Sequence, residues 1–226
     1  MSLALLERQF ATLYRLDAQG RLLCVNEAGN PPAPRVAVGR SPEGVICRTR
    51  ADLPEQLAER IQAIVQHEPA TAELESEPRC RPALLEFLAP VADEYRGPAF
   101  ILANKRLDAT GAVAIDAAHL DAIRPHFAWL LDEYRRFPVA AMLVDGVAVS
   151  VCFSSRVGAD ADEAGLETAA PFRGRGYALP AVAAWAGIVR SHGRQPLYST
   201  AWSNHASRAV ARKLGGQCYG EDWAIW

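Results

Sequence analysis

The feature that most constrains this chain is the Arg- and Gly-rich turn at residues 173–178, which joins an extended segment to an amphipathic helix. Its two glycines allow backbone dihedrals that other residues avoid, and the small Ala178 removes bulk where the helix begins. A helix start presents unpaired N–H groups and the positive end of its dipole, while Arg173 and Arg175 add positive charge suited to phosphate oxygens. The turn predicts a site for a phosphorylated ligand, and the alternative is a solvent-exposed basic turn.

The composition is that of an ordinary globular protein, because 50% of the 226 residues are hydrophobic and 22% are charged. A formal net charge of −2 gives no electrostatic reason to expect nucleic acid or an anionic membrane as a partner. The apolar run at the start of the chain is broken by Glu7 and Arg8 and is too short for a signal peptide or a membrane span. We therefore expect a cytoplasmic protein with a small partner.

The cysteines and histidines show no metal-ligand spacing. The five cysteines are scattered and form no C-x-x-C pair, so we expect reduced, mostly buried thiols and no metal site. The tryptophans, Trp129 among them, are expected to add mass to the core or to an interface. The cysteines are Cys24, Cys47, Cys80, Cys152 and Cys218.

The first half of the chain has mixed patterns and no catalytic signature. Helices are predicted at residues 3–13 and after a capped start at Asp52, the second ending before Pro69. An extended stretch is predicted at 21–26, and alternating apolar residues predict strand structure through 36–47. A change in composition near residues 108–111 predicts an N-terminal α/β domain of residues 1–108 and a second domain of residues 109–226.

The second half alternates helices with strands. Asp145-Gly146 between two apolar runs predicts a tight hairpin, and Gly215-Gly216 suits a left-handed helix stop. Helices are predicted at 120–134, 177–191 and 206–214, and strands at 138–144, 147–153, 163–168 and 197–200.

This order of elements, together with two motifs, resembles the GNAT superfamily of N-acetyltransferases over about residues 111–226. Arg173, Gly176 and Ala178 match the three defining positions of the family's acyl-CoA loop, Q/R-x-x-G-x-G/A. Asn204 and the following helix are similar to the family's Asn-led helix that ends in K-L-G. The resemblance implies a mixed α/β fold, with a GNAT-like twisted mixed sheet flanked by helices in the C-terminal half. The additional N-terminal α/β domain would shape the acceptor side or be a degenerate GNAT-like domain.

The resemblance also implies acetyl-CoA as co-substrate. Residues 173–178 would hold the pyrophosphate through backbone N–H groups, the strand end at 166–168 would bind the pantetheine arm, and Asn204 would lie beside that arm. Two alternatives stay open, a helix N-cap for Asn204 and solvent exposure for Arg175, while Ser207 is also typical of packing or capping. The expected cofactor-binding residues are Leu166, Thr168, Arg173, Gly174, Arg175, Gly176, Tyr177, Ala178, Asn204 and Ser207.

The implied reaction is direct attack of an amine on acetyl-CoA in a ternary complex. Because an alkyl amine has a pKa of about 10, a base or a water relay is useful at neutral pH. Glu163 and Glu167 are the candidate bases, since four residues apart on a strand they share a face. The alternative is that both are exposed strand carboxylates.

The sequence departs from the family pattern at the general acid. Many members carry a tyrosine just before the K-L-G end of the helix, where this chain has Ala211. Tyr198, Ser199, Tyr219 or a water would replace it, or no acid is needed because the CoA thiolate is an acceptable leaving group.

We therefore expect an acyltransferase of GNAT type that acetylates a primary amine on a small molecule, an amino acid or a protein N-terminus. The alternative is a non-catalytic acyl-CoA-binding regulatory module, which Ala211 favours. The expected partner is a small-molecule or peptide amine, with neither nucleic acid nor membrane, and a homodimer is compatible with this expectation.

Overall fold

A computed structural model describes residues 1–102 and 107–226. The chain divides into two compact units. The first unit contains Met1–Phe100, Ser199–Arg208 and Cys218–Trp226, and the second contains Ile101–Tyr198 and Ala209–Gln217. The domain boundary at residue 108 stays a prediction. The two compact units have other bounds, because segments after residue 198 belong to both units.

The described residues form a mixed α/β structure of helices and strands. The helices are α1 (Ser2–Leu13), α2 (Glu55–Val65), α3 (Arg81–Phe87), α4 (Leu120–Ile123), α5 (Leu130–Glu133), α6 (Ala178–Ser191) and α7 (His205–Lys213). The strands are β1 (Tyr14–Leu16), β2 (Leu22–Val25), β3 (Val36–Ser41), β4 (Gly44–Thr49), β5 (Glu94–Ile101), β6 (Ala112–Ala114), β7 (Val139–Val144), β8 (Val147–Val157), β9 (Ala161–Thr168), β10 (Gln195–Ser199) and β11 (Gln217–Ile225).

In the first unit, strands pair in the order β4-β3-β11-β5. Helices pack on both faces of this part of the sheet. Alternate residues of β3 point to opposite faces, so Val36 and Val38 pack with Ile61 of α2, whereas Ala37 packs with Phe10 of α1. The N-terminal α/β character predicted from the sequence is therefore confirmed.

The capped start predicted for α2 is wrong. The helix begins at Glu55 after Pro54, and no side chain caps it. The Asp52 carboxylate instead accepts a hydrogen bond from Arg50 Nε over 2.7 Å. The N-cap position is occupied by Pro54, which has no side-chain acceptor, so Asp52 lies two residues too early to cap the helix.

The second unit pairs its strands in the order β10-β9-β8-β7-β6. β10 runs parallel to β9, while the β9–β8, β8–β7 and β7–β6 pairs are antiparallel. The predicted hairpin is confirmed, because Asp145 and Gly146 adopt φ values of +50° and +77° between β7 and β8.

The single helix predicted at 120–134 is wrong. The segment forms the two short helices α4 and α5, and Pro125 lies between them. Proline has no N–H for the helical ladder, and its ring clashes with the carbonyl of the preceding helical turn. The apolar stripe still packs on the sheet, where Phe127 and Leu130 join Val139 and Val151 in one buried cluster.

Helices cover opposite faces of the second unit's sheet. On one face, Trp185 of α6 donates from Nε1 to Ser154 Oγ of β8 over 3.0 Å. On the other face, the cluster under α4 and α5 includes Val151 and Phe153 of β8. Because strand residues alternate, Glu163, Gly165 and Glu167 of β9 lie on the face that α4 and α5 cover.

The end of α7 follows the prediction made for Gly215. Gly215 has a φ of +71°, its N–H donates to Arg212 O, and Gly216 N–H donates to Ala211 O. This pair of bonds is the Schellman motif, which satisfies carbonyls at the end of a helix. The helix stop predicted from the sequence is confirmed.

Candidate functional site

The turn at residues 173–178 has the backbone conformation that its glycines predict. Gly174 and Gly176 have φ values of +76° and +84°, a region that other L-residues adopt only with strain. A Cβ atom placed at either position would meet nothing within 4 Å. The glycines are therefore required by backbone conformation, and the space beside the turn is open to a ligand.

The start of α6 is suited to an anion. Its N-terminal neighbour is Tyr177, and neither a side-chain cap nor an acidic residue occurs in its first turn. Leu179 N–H donates to Gly176 O over 3.1 Å and so closes the turn onto the helix. The first N–H groups of α6 thus have no competing side-chain acceptor, and the helix dipole adds positive potential there.

The two arginines of the turn have different environments. Arg173 Nε donates to the backbone oxygen of Thr168, the last residue of β9, over 3.1 Å. The Arg175 guanidinium carbon lies 5.7 Å from the centroid of the Phe172 ring, and its side chain is exposed. Arg173 therefore links the turn to β9. Arg175 is exposed to solvent, and solvent exposure was the stated alternative to phosphate binding for this residue.

β9 and β10 separate before β9 ends. Their parallel ladder pairs Ala161 to Glu163 with Gln195 to Leu197, and within the described residues it extends no further. From Ala164 to Thr168, β9 is paired with β8 alone. In the described part of the chain, residues 166–168 are therefore not paired with β10, and apart from the Thr168 oxygen that Arg173 binds, this edge can hydrogen-bond an extended ligand arm as a further strand would.

The two glutamates share a face of β9 but differ in exposure. Glu163 is 2% exposed, and its backbone oxygen accepts a hydrogen bond from Ser155 Oγ over 3.1 Å. Glu167 is exposed and lies on the part of β9 that β10 does not pair. The alternative that both are exposed strand carboxylates is therefore wrong for Glu163.

A buried ion pair beside Glu163 was not predicted from the sequence. Asp162 is fully buried, and Arg194 binds its two carboxylate oxygens through Nε and Nη2. Ser154 Oγ also donates to Asp162 over 2.6 Å and itself accepts from Trp185. These contacts join β8, β9, α6 and the residue before β10. Strand alternation places Asp162 on the face opposite Glu163, but no local pattern indicates its partner Arg194.

The candidate acids are largely buried. Tyr198 is 2% exposed on β10, and Ala211 in α7 is fully buried. Tyr219, in the first unit, donates its hydroxyl to Gln9 Oε1 over 3.0 Å. A hydroxyl at the family's tyrosine position is therefore absent, and the Tyr219 proton already has an acceptor.

Asn204 and Ser207 belong to the first unit. Asn204 Oδ1 accepts from Ser207 N–H over 3.0 Å immediately before α7. This is the bond of a helix N-cap, so the capping alternative for Asn204 is confirmed. Their contact with CoA stays a prediction.

The cysteines are all free thiols, with Cys80 and Cys152 buried and Cys218 exposed, so the expectation of mostly buried thiols holds in part. Burial raises the pKa of both Cys47 and Cys80 to about 12. Among residues 1–102 and 107–226, no group of three or more His, Cys, Asp and Glu side chains is arranged to hold a metal ion. None of the helices in this part of the chain has the length and apolar character needed to cross a membrane.

No family model and no curated protein matches the sequence. Among solved structures, the chain is similar to an acetyltransferase of the GNAT family from Colwellia psychrerythraea, with 14% identity, a TM-score of 0.49 and coverage of 99% of this chain and 95% of that one. It is also similar to a GCN5-related N-acetyltransferase-like protein from Streptococcus suis 89/1591, with 14% identity, a TM-score of 0.48 and coverage of 86% and 85%.

A third similar structure is described as an acetyltransferase of the GNAT family from Novosphingobium aromaticivorans DSM 12444, with 16% identity, a TM-score of 0.48 and coverage of 60% of this chain. The match spans only 65% of the length of that protein. At identities and TM-scores this low, we derive no function from these likenesses.

Proposed function

We propose that the chain is an N-acetyltransferase that moves an acetyl group from acetyl-CoA to a primary amine. The observation that carries this proposal is the Arg/Gly turn, in which two left-handed glycines open onto an uncapped helix start. Such a turn is suited to a pyrophosphate, because N–H groups, helix dipole and arginine charge act on the same anion.

The second unit offers matching groups for the remainder of CoA. The pyrophosphate would lie at residues 173–178, and the pantetheine arm would run along the free edge of β9 at Leu166 and Thr168. Arg173, through its bond to Thr168 O, keeps these two sub-sites in register. Asn204 and Ser207 remain predicted cofactor contacts.

The reaction requires one bond exchange and two proton transfers, one from the nitrogen to a base and one to the leaving thiolate. The amine nitrogen attacks the thioester carbonyl carbon, a C–N bond forms, and the C–S bond breaks to release CoA as a thiolate. The surplus ammonium proton passes to Glu163 or Glu167, directly or through water. A backbone N–H on the free edge of β9 can polarise the carbonyl oxygen. Tyr198 is the proposed acid for the thiolate, and without it water supplies the proton.

A non-catalytic acyl-CoA-binding module is the second candidate. Buried Ala211 favours it, since no hydroxyl stands where many GNAT enzymes carry their acid. Both candidates predict that acetyl-CoA binds, and they differ only in turnover.

The two candidates are separated by thiol release from acetyl-CoA with a panel of primary amines. The enzyme proposal predicts amine-dependent thiol release by the wild-type chain. Replacing the base, by Glu163→Gln or by Glu167→Gln, should lower the rate of release at least about tenfold. Glu86→Gln, an exposed glutamate of α3, is the matched control and should keep full activity. Binding of acetyl-CoA without amine-dependent release from any member of the panel would favour the binding module.

The proposed acceptor is a primary amine on a small molecule, an amino acid or a peptide. Location in the cytoplasm and any homodimer stay predictions.

A further inference from the structure

A partly exposed tryptophan lies in the segment between α4 and α5. Trp129 is 41% exposed, whereas Trp185 and Trp223 are fully buried. Its ring packs edge-on against Phe153 of β8, with ring centroids 4.9 Å apart and an interplanar angle of 75°. The indole is thus held by packing against Phe153 and still exposes part of its surface.

Phe153 continues this aromatic surface onto β9. It is paired directly with Gly165, and a Cβ atom at Gly165 would lie 2.4 Å from Phe153 Cζ. The ring therefore occupies the space above Gly165, which only glycine leaves open at that position. Because Gly165 lies between Glu163 and Glu167 on the same strand face, Phe153 sits between the two candidate bases.

The segment that carries Trp129 also borders the turn. His126 packs against Phe172, with ring centroids 5.7 Å apart, and Phe172 immediately precedes Arg173. Residues 126–129 therefore contact both the aromatic ring over β9 and the aromatic ring before the turn. Exposed Glu167 lies on β9, the strand that pairs with the strand of Phe153 and ends before Phe172.

We propose that Trp129 and Phe153 form a wall for the acceptor, and that the acceptor is a primary amine carried on an apolar or aromatic body. This inference rests on the proposed function and names the substrate class of the same site. The body of such an amine would pack on Trp129 and Phe153, and its nitrogen would reach the face of β9 that carries the glutamates.

The chemistry of the wall favours this class over polar amines. An aromatic or alkyl body removes apolar surface from water when it packs on an indole, and an ammonium gains further attraction from aromatic faces. The exposed carboxylate of Glu167 complements the same positive charge. A hydroxylated amine would gain the charge contacts but little from Trp129.

The test compares 2-phenylethylamine with ethanolamine, two primary amines that differ in their apolar surface. With the wild-type chain and acetyl-CoA, kcat/KM for 2-phenylethylamine should exceed that for ethanolamine by at least about tenfold. Trp129→Ala should remove most of this preference by raising KM for 2-phenylethylamine, and Trp129→Phe, which keeps a ring, should retain it. Phe87→Ala is the matched control, because Phe87 is an aromatic residue of the first unit that is 37% exposed.

Two further measurements keep this inference distinct from the proposed function. Affinity for acetyl-CoA, measured by calorimetry, should be unchanged in Trp129→Ala, which also shows that the variant is folded. Equal kcat/KM for the two amines, or a preference that survives in Trp129→Ala, would contradict the proposed role of Trp129. Neither result would contradict acetyl transfer itself.

Failure of the proposed function gives a different result, in which the wild-type chain releases no thiol with any amine. The wall is then tested by tryptophan fluorescence, which 2-phenylethylamine should change in the wild-type chain and in Phe87→Ala but not in Trp129→Phe. If 2-phenylethylamine leaves the wild-type fluorescence unaltered, or alters it equally in Trp129→Phe, the wall is overturned as well.

Discussion

Arg173 donates a hydrogen bond from Nε to the backbone oxygen of Thr168 over 3.1 Å. The bond joins the first residue of the glycine turn to the last residue of β9. It sets where the turn stands relative to the free strand edge at residues 166–168, and both are needed for one long ligand such as CoA.

We expect Arg173→Gln to raise the Kd for acetyl-CoA about tenfold, equal to a loss of about 1.4 kcal/mol. The variant loses both the positive charge and the guanidinium bond to Thr168. Arg60→Gln, which removes an exposed arginine of α2 in the first unit, should change the Kd less than about twofold. Calorimetric titration measures both, and equal effects of the two substitutions would contradict a specific role for Arg173.

Substitution of Gly176 should show the cost of backbone strain at a position without steric crowding. Gly176→Ala should lower the free energy of unfolding by about 1–2 kcal/mol, because a φ of +84° is strained for alanine although nothing lies within 4 Å. Gly187→Ala is the matched control within α6, where the same change should stabilise by about 0.5–1 kcal/mol. Denaturant unfolding measures both, and destabilisation of similar size at the two positions would argue against a left-handed turn.

Crowding should dominate instead at Gly165, where an added Cβ atom would lie 2.4 Å from Phe153 Cζ. Gly165→Ala should destabilise the chain by about 1–3 kcal/mol, as is usual for overpacking. Phe153→Leu in the same chain should recover part of that loss, giving a coupling energy of about 0.5 kcal/mol or more. Strict additivity of the two changes in unfolding free energy would show that the ring does not occupy that space.

The first unit should lose stability in acid through Glu94. Its carboxylate accepts hydrogen bonds from Arg81 and from Trp223 Nε1, and the bonds from Arg81, followed by that from Trp223, hold the pKa of Glu94 below its ordinary value of 4.5. A lowered pKa means that the folded state favours the charged form. The stabilisation is therefore present above about pH 4.5 and is lost as pH falls through the folded-state pKa.

Glu94→Gln should accordingly lower the unfolding free energy at pH 7 by about 2 kcal/mol. It should also flatten the dependence of stability on pH below the ordinary glutamate pKa. Glu77 also pairs with Arg81 but is 58% exposed. Glu77→Gln should therefore lower the free energy of unfolding by less than about 1 kcal/mol. Parallel pH profiles for the wild type and Glu94→Gln would refute this assignment.

The features predicted well from the sequence are those that neighbouring residues determine. Gly176 and Gly215 need a left-handed backbone for reasons local to the turn and to the helix end, and Asp145-Gly146 specifies its own hairpin. Such choices hold wherever the segment lies in the fold, so the turn, the helix stop and the hairpin could be predicted directly.

The features missed depend on distant residues or on a single local exception. Asp162 is neutralised by Arg194, which lies 32 residues away in sequence, and no local pattern links the two. Pro125 interrupts an apolar stripe whose period alone predicted one helix. Trp129 was expected to add mass to the core or to an interface, and its 41% exposure together with its contact to Phe153 of β8 could not be predicted from the local sequence.

The central claim is tested most directly by isothermal titration of acetyl-CoA into the wild-type chain and into Gly176→Asp. The account predicts saturable binding to the wild type and none to Gly176→Asp, because the new carboxylate places bulk and negative charge where the pyrophosphate must lie. Circular dichroism of both proteins shows that they are folded. Absence of binding to folded wild-type protein at high micromolar acetyl-CoA, or equal affinity in the two chains, would contradict the claim.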